Sequence, residues 1–170
     1  MTRRLVAIVA IACLGITGVV LVPVLTYARM DRAEHEASER LAAIGEAQRA
    51  FRSAGGRGGY ATDLVSLTTP CPGASSAAVA DAPQTRAYTF VLRAAQHAKT
   101  IGADCHGHAT ASDFYASASP VSEFAGEQAF AMTSRGRIYV FFDGVAPLET
   151  DMTVGGLAVP LDTLDEFKIP

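Results

Sequence analysis

The stretch "RLAAIGEAQRAFRSAGGRGGYATDL", Arg40–Leu64, decides the fold. It starts as a helix and stops in a glycine cluster. Counting back to Ala37, small, apolar or amide residues recur at Ala37, Leu41, Ile44, Gln48 and Phe51, alternating steps of four and three. That spacing lines one face of a helix. Glu34, Glu36, Glu39, Arg40, Glu46 and Arg49 mostly take the other faces. Glycine tolerates the left-handed turn that ends many helices, so the helix is expected to stop at Ala54-Gly55-Gly56.

Working outward, the chain before Arg29 changes character. No Asp, Glu, Lys or Arg occurs in "LVAIVAIACLGITGVVLVPVLTYA", from Leu5 to Ala28. As a helix this run spans about 36 Å, enough for a hydrocarbon core of about 30 Å. Arg3 and Arg4 precede it, and positive charge favours the cytoplasmic side. The expectation is therefore a basic cytoplasmic N-terminus (1–4), a transmembrane helix (5–28), its continuation on the head (29–54) and an extracytoplasmic head with an irregular tail (55–170). The protein would be a single-pass inner-membrane protein with a periplasmic C-terminal domain. A cleaved secretory signal is the rival reading, but its apolar core is usually shorter, about 7–15 residues.

With Arg3 and Arg4 set aside, the remaining basic residues are outnumbered by 17 acidic ones. No basic patch points to nucleic acid. Of the three cysteines, Cys13 falls in the apolar run. Cys71 and Cys105 fall beyond it, and an oxidising compartment would favour a bond between them. Two unpaired thiols are the alternative.

The rest of the head reads as β-structure. "PCPGASSAAVADAPQT" is loop. In "AYTFVLR", Tyr88, Phe90 and Leu92 alternate with Thr89, Val91 and Arg93, the pattern of a half-buried strand. "SDFYASASP" is a second strand candidate. "EQAFAMT", "SRG" and "RIYVFF" read as a hairpin with Gly136 in its turn. The fold class expected is α+β: a long N-terminal helix, transmembrane then amphipathic, packed on an antiparallel sheet of three to four strands. Leu41, Ile44 and Phe51 should cover one face of that sheet.

The order of these pieces resembles the type IV pilin and type II secretion pseudopilin superfamily. The residues that carry the resemblance are "LVPVLTYARM", "LAAIGEAQRAF", "GGYATDLVSL", "YASASP" and "FAGEQAFAMTSRGRIYVFF". It implies a structural subunit of a pilus or secretion machine, a minor pilin or pseudopilin, with the membrane and other pilin subunits as partners. Small residues at Ala10, Ala12, Gly15 and Gly18 would let such helices pack closely, and Pro23 matches the family's helix-loosening proline. The start departs from the family pattern. With Pro23 aligned, Thr2 stands at the usual cut position and Val6 where the family has Glu. Prepilin processing, and with it N-terminal methylation, is therefore not expected. The alternative is a membrane-anchored, pilin-like protein that binds a ligand or partner without polymerising.

Catalytic chemistry is not expected. There is no Gly-x-Ser-x-Gly elbow and no phosphate loop in "AGGRGG". Cys105, His106 and His108 in "DCHGH" are weak metal candidates, short of the four ligands zinc takes. The acidic tail, with Asp143, Glu149, Asp151, Asp162, Asp165 and Glu166, lacks a compact calcium-loop pattern. No resident metal or cofactor is expected.

Overall fold

A computed structural model describes residues 2–69, 71, 85–152 and 158–164, with the side chains of the first helix described from Leu25 onward. The chain is α+β. One helix, α1 (Thr2–Ala54), is followed by β1 (Tyr60–Ala61), the short helix α2 (Leu64–Thr68), and β2 (Tyr88–Ala94). Then come β3 (Thr100–Ala103), β4 (Ala109–Ala111), β5 (Phe114–Pro120), β6 (Ala129–Thr133) and β7 (Ile138–Phe141). A last strand, β8 (Val159–Pro160), leads into α3 (Leu161–Leu164).

The helix is continuous through Arg29, where the sequence turns from apolar to charged. The inner-membrane, single-pass placement is corrected: among the described residues no helix is long and apolar enough to cross a membrane. From Leu25 onward, α1 carries Arg29, Asp31, Arg32 and Glu34 within three turns, and hydrocarbon does not accept such a run. The expected helix-packing positions Ala10, Ala12, Gly15, Gly18 and Pro23, and Cys13 and Val6 with them, lie outside the residues whose side chains are described.

The sheet expectation is also corrected. Among the described residues there are two antiparallel sheets, one of five strands in the order β2-β5-β6-β7-β8 and one of three in the order β1-β4-β3. β2 pairs with β5 from Tyr88 opposite Pro120 to Ala94 opposite Phe114. The β6–β7 hairpin is in register from Ala129 opposite Phe141 to Met132 opposite Ile138. The C-terminal tail is more regular than expected: Val159 and Pro160 close the sheet edge against Val140 and Tyr139.

Helix α1 lies along the larger sheet. Ala37, Leu41, Ile44, Gln48 and Phe51 are all buried, and Leu41, Ile44 and Phe51 join Phe114, Phe130, Met132 and Val140 in one core. The alternating steps of four and three between these positions follow from 3.6 residues per turn meeting a flat apolar face. The reverse face of the sheet is covered as well, by Met152 and Ala158 against Tyr115 and Ala131. Both faces being dry explains why β5 and β6 read as almost continuous small and apolar runs.

The helix end differs from expectation in one detail. The amides of Gly55 and Gly56 both donate to the Phe51 carbonyl, at 2.8 and 2.6 Å. The left-handed residues are instead Arg57 (φ 50°) and Gly58 (φ 93°). Gly56 serves close approach: a Cβ there would sit 2.1 Å from the Gly59 carbonyl oxygen.

Candidate functional site

Three parts of the head are candidate sites, and two of them gather residues singled out by sequence. The first is the seam between α1 and the sheets. Besides the apolar stripe it holds Gln48, whose amide Nε2 donates to the Ala61 carbonyl at 2.8 Å and whose Oε1 accepts from the Ala61 amide at 2.9 Å. Arg52 stacks over Tyr60 at 5.0 Å and donates to its hydroxyl at 2.9 Å. Lower on the helix, Glu34 Oε1 accepts from the amides of Glu127 and Gln128 at 2.8 and 3.1 Å. The sequence places Glu34 only off the apolar stripe; its partners lie some ninety residues away, so no local pattern reveals the contact.

The second part is the disulfide loop. Cys71 and Cys105 are bonded, with Cα atoms 5.8 Å apart. The bond joins the segment after α2 to the turn of the β3–β4 hairpin. In that turn Asp104 is the organiser. Its Oδ1 accepts from the amides of His106 and His108, both at 2.8 Å, and its Oδ2 lies 3.3 Å from His108 Nδ1. Burial by itself would push the Asp104 carboxyl up. The amides of His108 and His106 and the His108 ring outweigh it and hold the carboxyl below its ordinary value. His108 Nδ1 is also 3.1 Å from Ser66 Oγ, which ties α2 to the loop.

Of the weak metal candidates, ligand atoms of Cys105 and His106 cluster with that of Cys71 within 4.8 Å. Both sulfurs are consumed in the disulfide, so neither offers the thiolate a soft metal takes. The acidic tail does not converge either. Asp143 Oδ1 accepts from Val145, Asp151 Oδ2 from Leu148, and Glu149 pairs with Arg93 at 2.6 Å. Asp162 faces Arg137 at 3.4 Å. Each carboxylate braces a different turn. Asp165 and Glu166 lie outside the described residues.

The third part went unread in the sequence. Where α1 enters the head, an open groove of about 830 Å³ is lined by Tyr27, Met30, Phe124, Phe142, Glu123 and Glu127, among others. Phe124, Tyr27 and Phe142 are 76%, 66% and 56% exposed. Beside Phe142, Asp143 completes a carboxylate rim. Exposed apolar patches rimmed by polar residues are candidate interaction surfaces. The signal was scattered over residues 27, 124 and 142, which only the fold brings together. The hydroxyl of Tyr88, behind the groove, donates to the Gln128 carbonyl at 2.7 Å. Burial, and then the nearby Glu34 charge, raise its pKa well above the ordinary tyrosine value.

Comparison with protein-family models, with curated proteins and with solved structures finds no match to this chain.

Proposed function

We propose that this chain is a structural subunit that works by assembly, similar to a minor pilin or pseudopilin of a type II secretion or type IV pilus machine. The observation that carries the reading is the continuous α1 helix, laid along an antiparallel sheet by one buried stripe. A long helix fixed this rigidly to a small head is suited to transmitting position and force between subunits. The contact of Glu34 with the Glu127 and Gln128 amides and the Gln48 clamp support the same reading, because they brace the helix at both ends of the head.

The test is co-sedimentation. The tagged full chain is expressed in its native cells, and surface filaments are sheared and pelleted. The chain is expected in the pellet and in crosslinks to filament subunits. Its complete absence from both would overturn the reading.

A second reading is a pilin-like protein that binds a partner without polymerising. The open aromatic groove at the foot of the head favours it. A monodisperse chain that captures a separate partner through that groove, and never enters filaments, would select this reading.

A further inference from the structure

The head is electrically polar along the axis of α1. Three contacts fix the direction. Glu34 meets Glu127 and Gln128 at one end. A Cβ on Gly45 would press on Met132 in the middle, and one on Gly136 would lie 3.4 Å from Arg49 Nη1 at the other end. The β6–β7 hairpin thus runs beside the helix, its open end at the foot and its Arg135–Arg137 turn at the top. From Glu34 to Arg49 the rise is about 22 Å.

The two ends carry opposite charge. At the top stand Arg49, Arg52, Arg57, Arg135 and Arg137, against Glu46, which pairs with Arg49, Asp162, which pairs loosely with Arg137, and Asp113, which accepts from the Ser134 amide beside Arg135; the arginines remain in excess. At the foot, the groove and its adjoining hollow are lined by Asp31, Glu34, Glu123, Glu127 and Asp143, with no Lys or Arg in either lining. Arg29 and Arg32 are nearby on the helix, and Arg32 is paired with Glu36. Among the described residues no cation pairs with Glu123, Glu127 or Asp143. Aromatic faces and carboxylates together suit a guanidinium, which stacks and forms bidentate pairs.

We infer that the foot groove of one copy receives the arginine-bearing top of a second copy. The inference rests on the assembly reading and names a contact for it. Arg135 and Arg137 of one copy enter the groove between Phe124 and Phe142 and meet Glu123 and Glu127. The two surfaces differ, so the contact is head-to-tail and leaves a free groove and a free top at the ends of every pair. Such a contact propagates into a ring or an open filament.

The experiment uses the full chain in a non-ionic detergent and two forms of charge control. R135K keeps the charge and adds an amine, which a zero-length carbodiimide can join to a carboxylate. A mixture of heavy- and light-isotope copies shows whether the join is between molecules. Intermolecular coupling of position 135 to Glu123 or Glu127 is expected at low salt. It should fall at least tenfold between about 0.01 M and about 1 M salt, as the Debye length shrinks from about 30 Å to about 3 Å. Separately, E123R/E127R and R135E/R137E should each fail to self-associate in sedimentation, and should associate when mixed. Absent coupling at position 135, salt-independent coupling, or no restoration on mixing overturns the inference. A chain that fails here yet still pellets with sheared filaments would keep the assembly reading and remove only this contact.

Discussion

Gln48 holds Ala61 by both of its backbone groups, donating to the carbonyl and accepting from the amide. The side-chain amide stands in for a neighbouring strand. It satisfies the edge of β1 that Thr110 of β4 does not reach. Gln48 is fully buried, so this polar residue sits in an apolar stripe because the stripe crosses a strand edge there.

Replacing it should expose that dependence. Gln48→Leu roughly keeps the volume but removes the amide and strands a buried N–H and C=O of Ala61. A loss of about 2–4 kcal/mol is expected from two unsatisfied groups, read as a fall in the denaturation midpoint with an unchanged slope. A loss under about 0.5 kcal/mol would show that water replaces the clamp.

Gly126 makes a different kind of contact. A Cβ there would lie 2.2 Å from the Tyr88 hydroxyl, and that hydroxyl is already bound to Gln128. Gly126→Ala should cost about 1–3 kcal/mol by displacing the hydroxyl. Tyr88→Phe removes the clashing atom, so the double variant should lose measurably less than the two single losses combined. Simple additivity in that cycle would place the strain elsewhere.

The disulfide from Cys71 to Cys105 closes a loop across 34 positions. The chain-entropy treatment gives about 3–4 kcal/mol for a loop of that size. The C71S/C105S variant should show that loss in urea unfolding, and reducing agent should then leave it unchanged while destabilising the parent chain. A parent indifferent to reductant would contradict the assignment.

Asp104 sets a pH dependence. Its carboxyl titrates lower in the folded chain than in the unfolded one. The unfolded chain therefore binds more protons as pH falls through the ordinary Asp range, near about 3.9. The contribution to stability is fully present above that range and is lost as pH drops through the lowered folded value. There the loop amides of His106 and His108 should lose protection relative to the intrinsic exchange rate, and D104A should lack that protection at all pH. Equal acid sensitivity in D104A and the parent would rule this out.

Thr110 offers a gain. Its hydroxyl is buried and has no hydrogen-bond partner among the described residues. Thr110→Val has nearly the same shape and removes an unsatisfied group, so the melting temperature should rise, by about 1 kcal/mol in stability terms. A fall would mean that the hydroxyl has a water partner.

Local pattern made much of this chain legible. The stripe from Ala37 to Phe51 gives its helical face because 3.6-residue periodicity is a property of consecutive residues. The alternation in "AYTFVLR" and the Gly136 turn are equally local, and β2 and the β6–β7 hairpin stand where that pattern puts them. The three-stranded sheet was not legible. Its strands are two to four residues long, β3 is wholly exposed, and β1 exists only because Thr110 and Gln48 flank it. The cover on the sheet's reverse face escaped for a related reason: Met152 and Ala158 show no period. The apolar run at the start suggested a membrane crossing, whereas no described helix is long and apolar enough for one.

The sequence by itself determined which face of α1 is apolar and where β2 and the hairpin begin, since backbone periodicity and turn chemistry need only near neighbours. The tertiary structure alone decided that Glu34 would cap a loop, that Asp104 would organise two histidines beside a disulfide, and that Tyr27, Phe124 and Phe142 would share a groove. Those groups meet across tens of residues, and only the packing of helix on sheet brings them within the few ångströms over which hydrogen bonds and charges act.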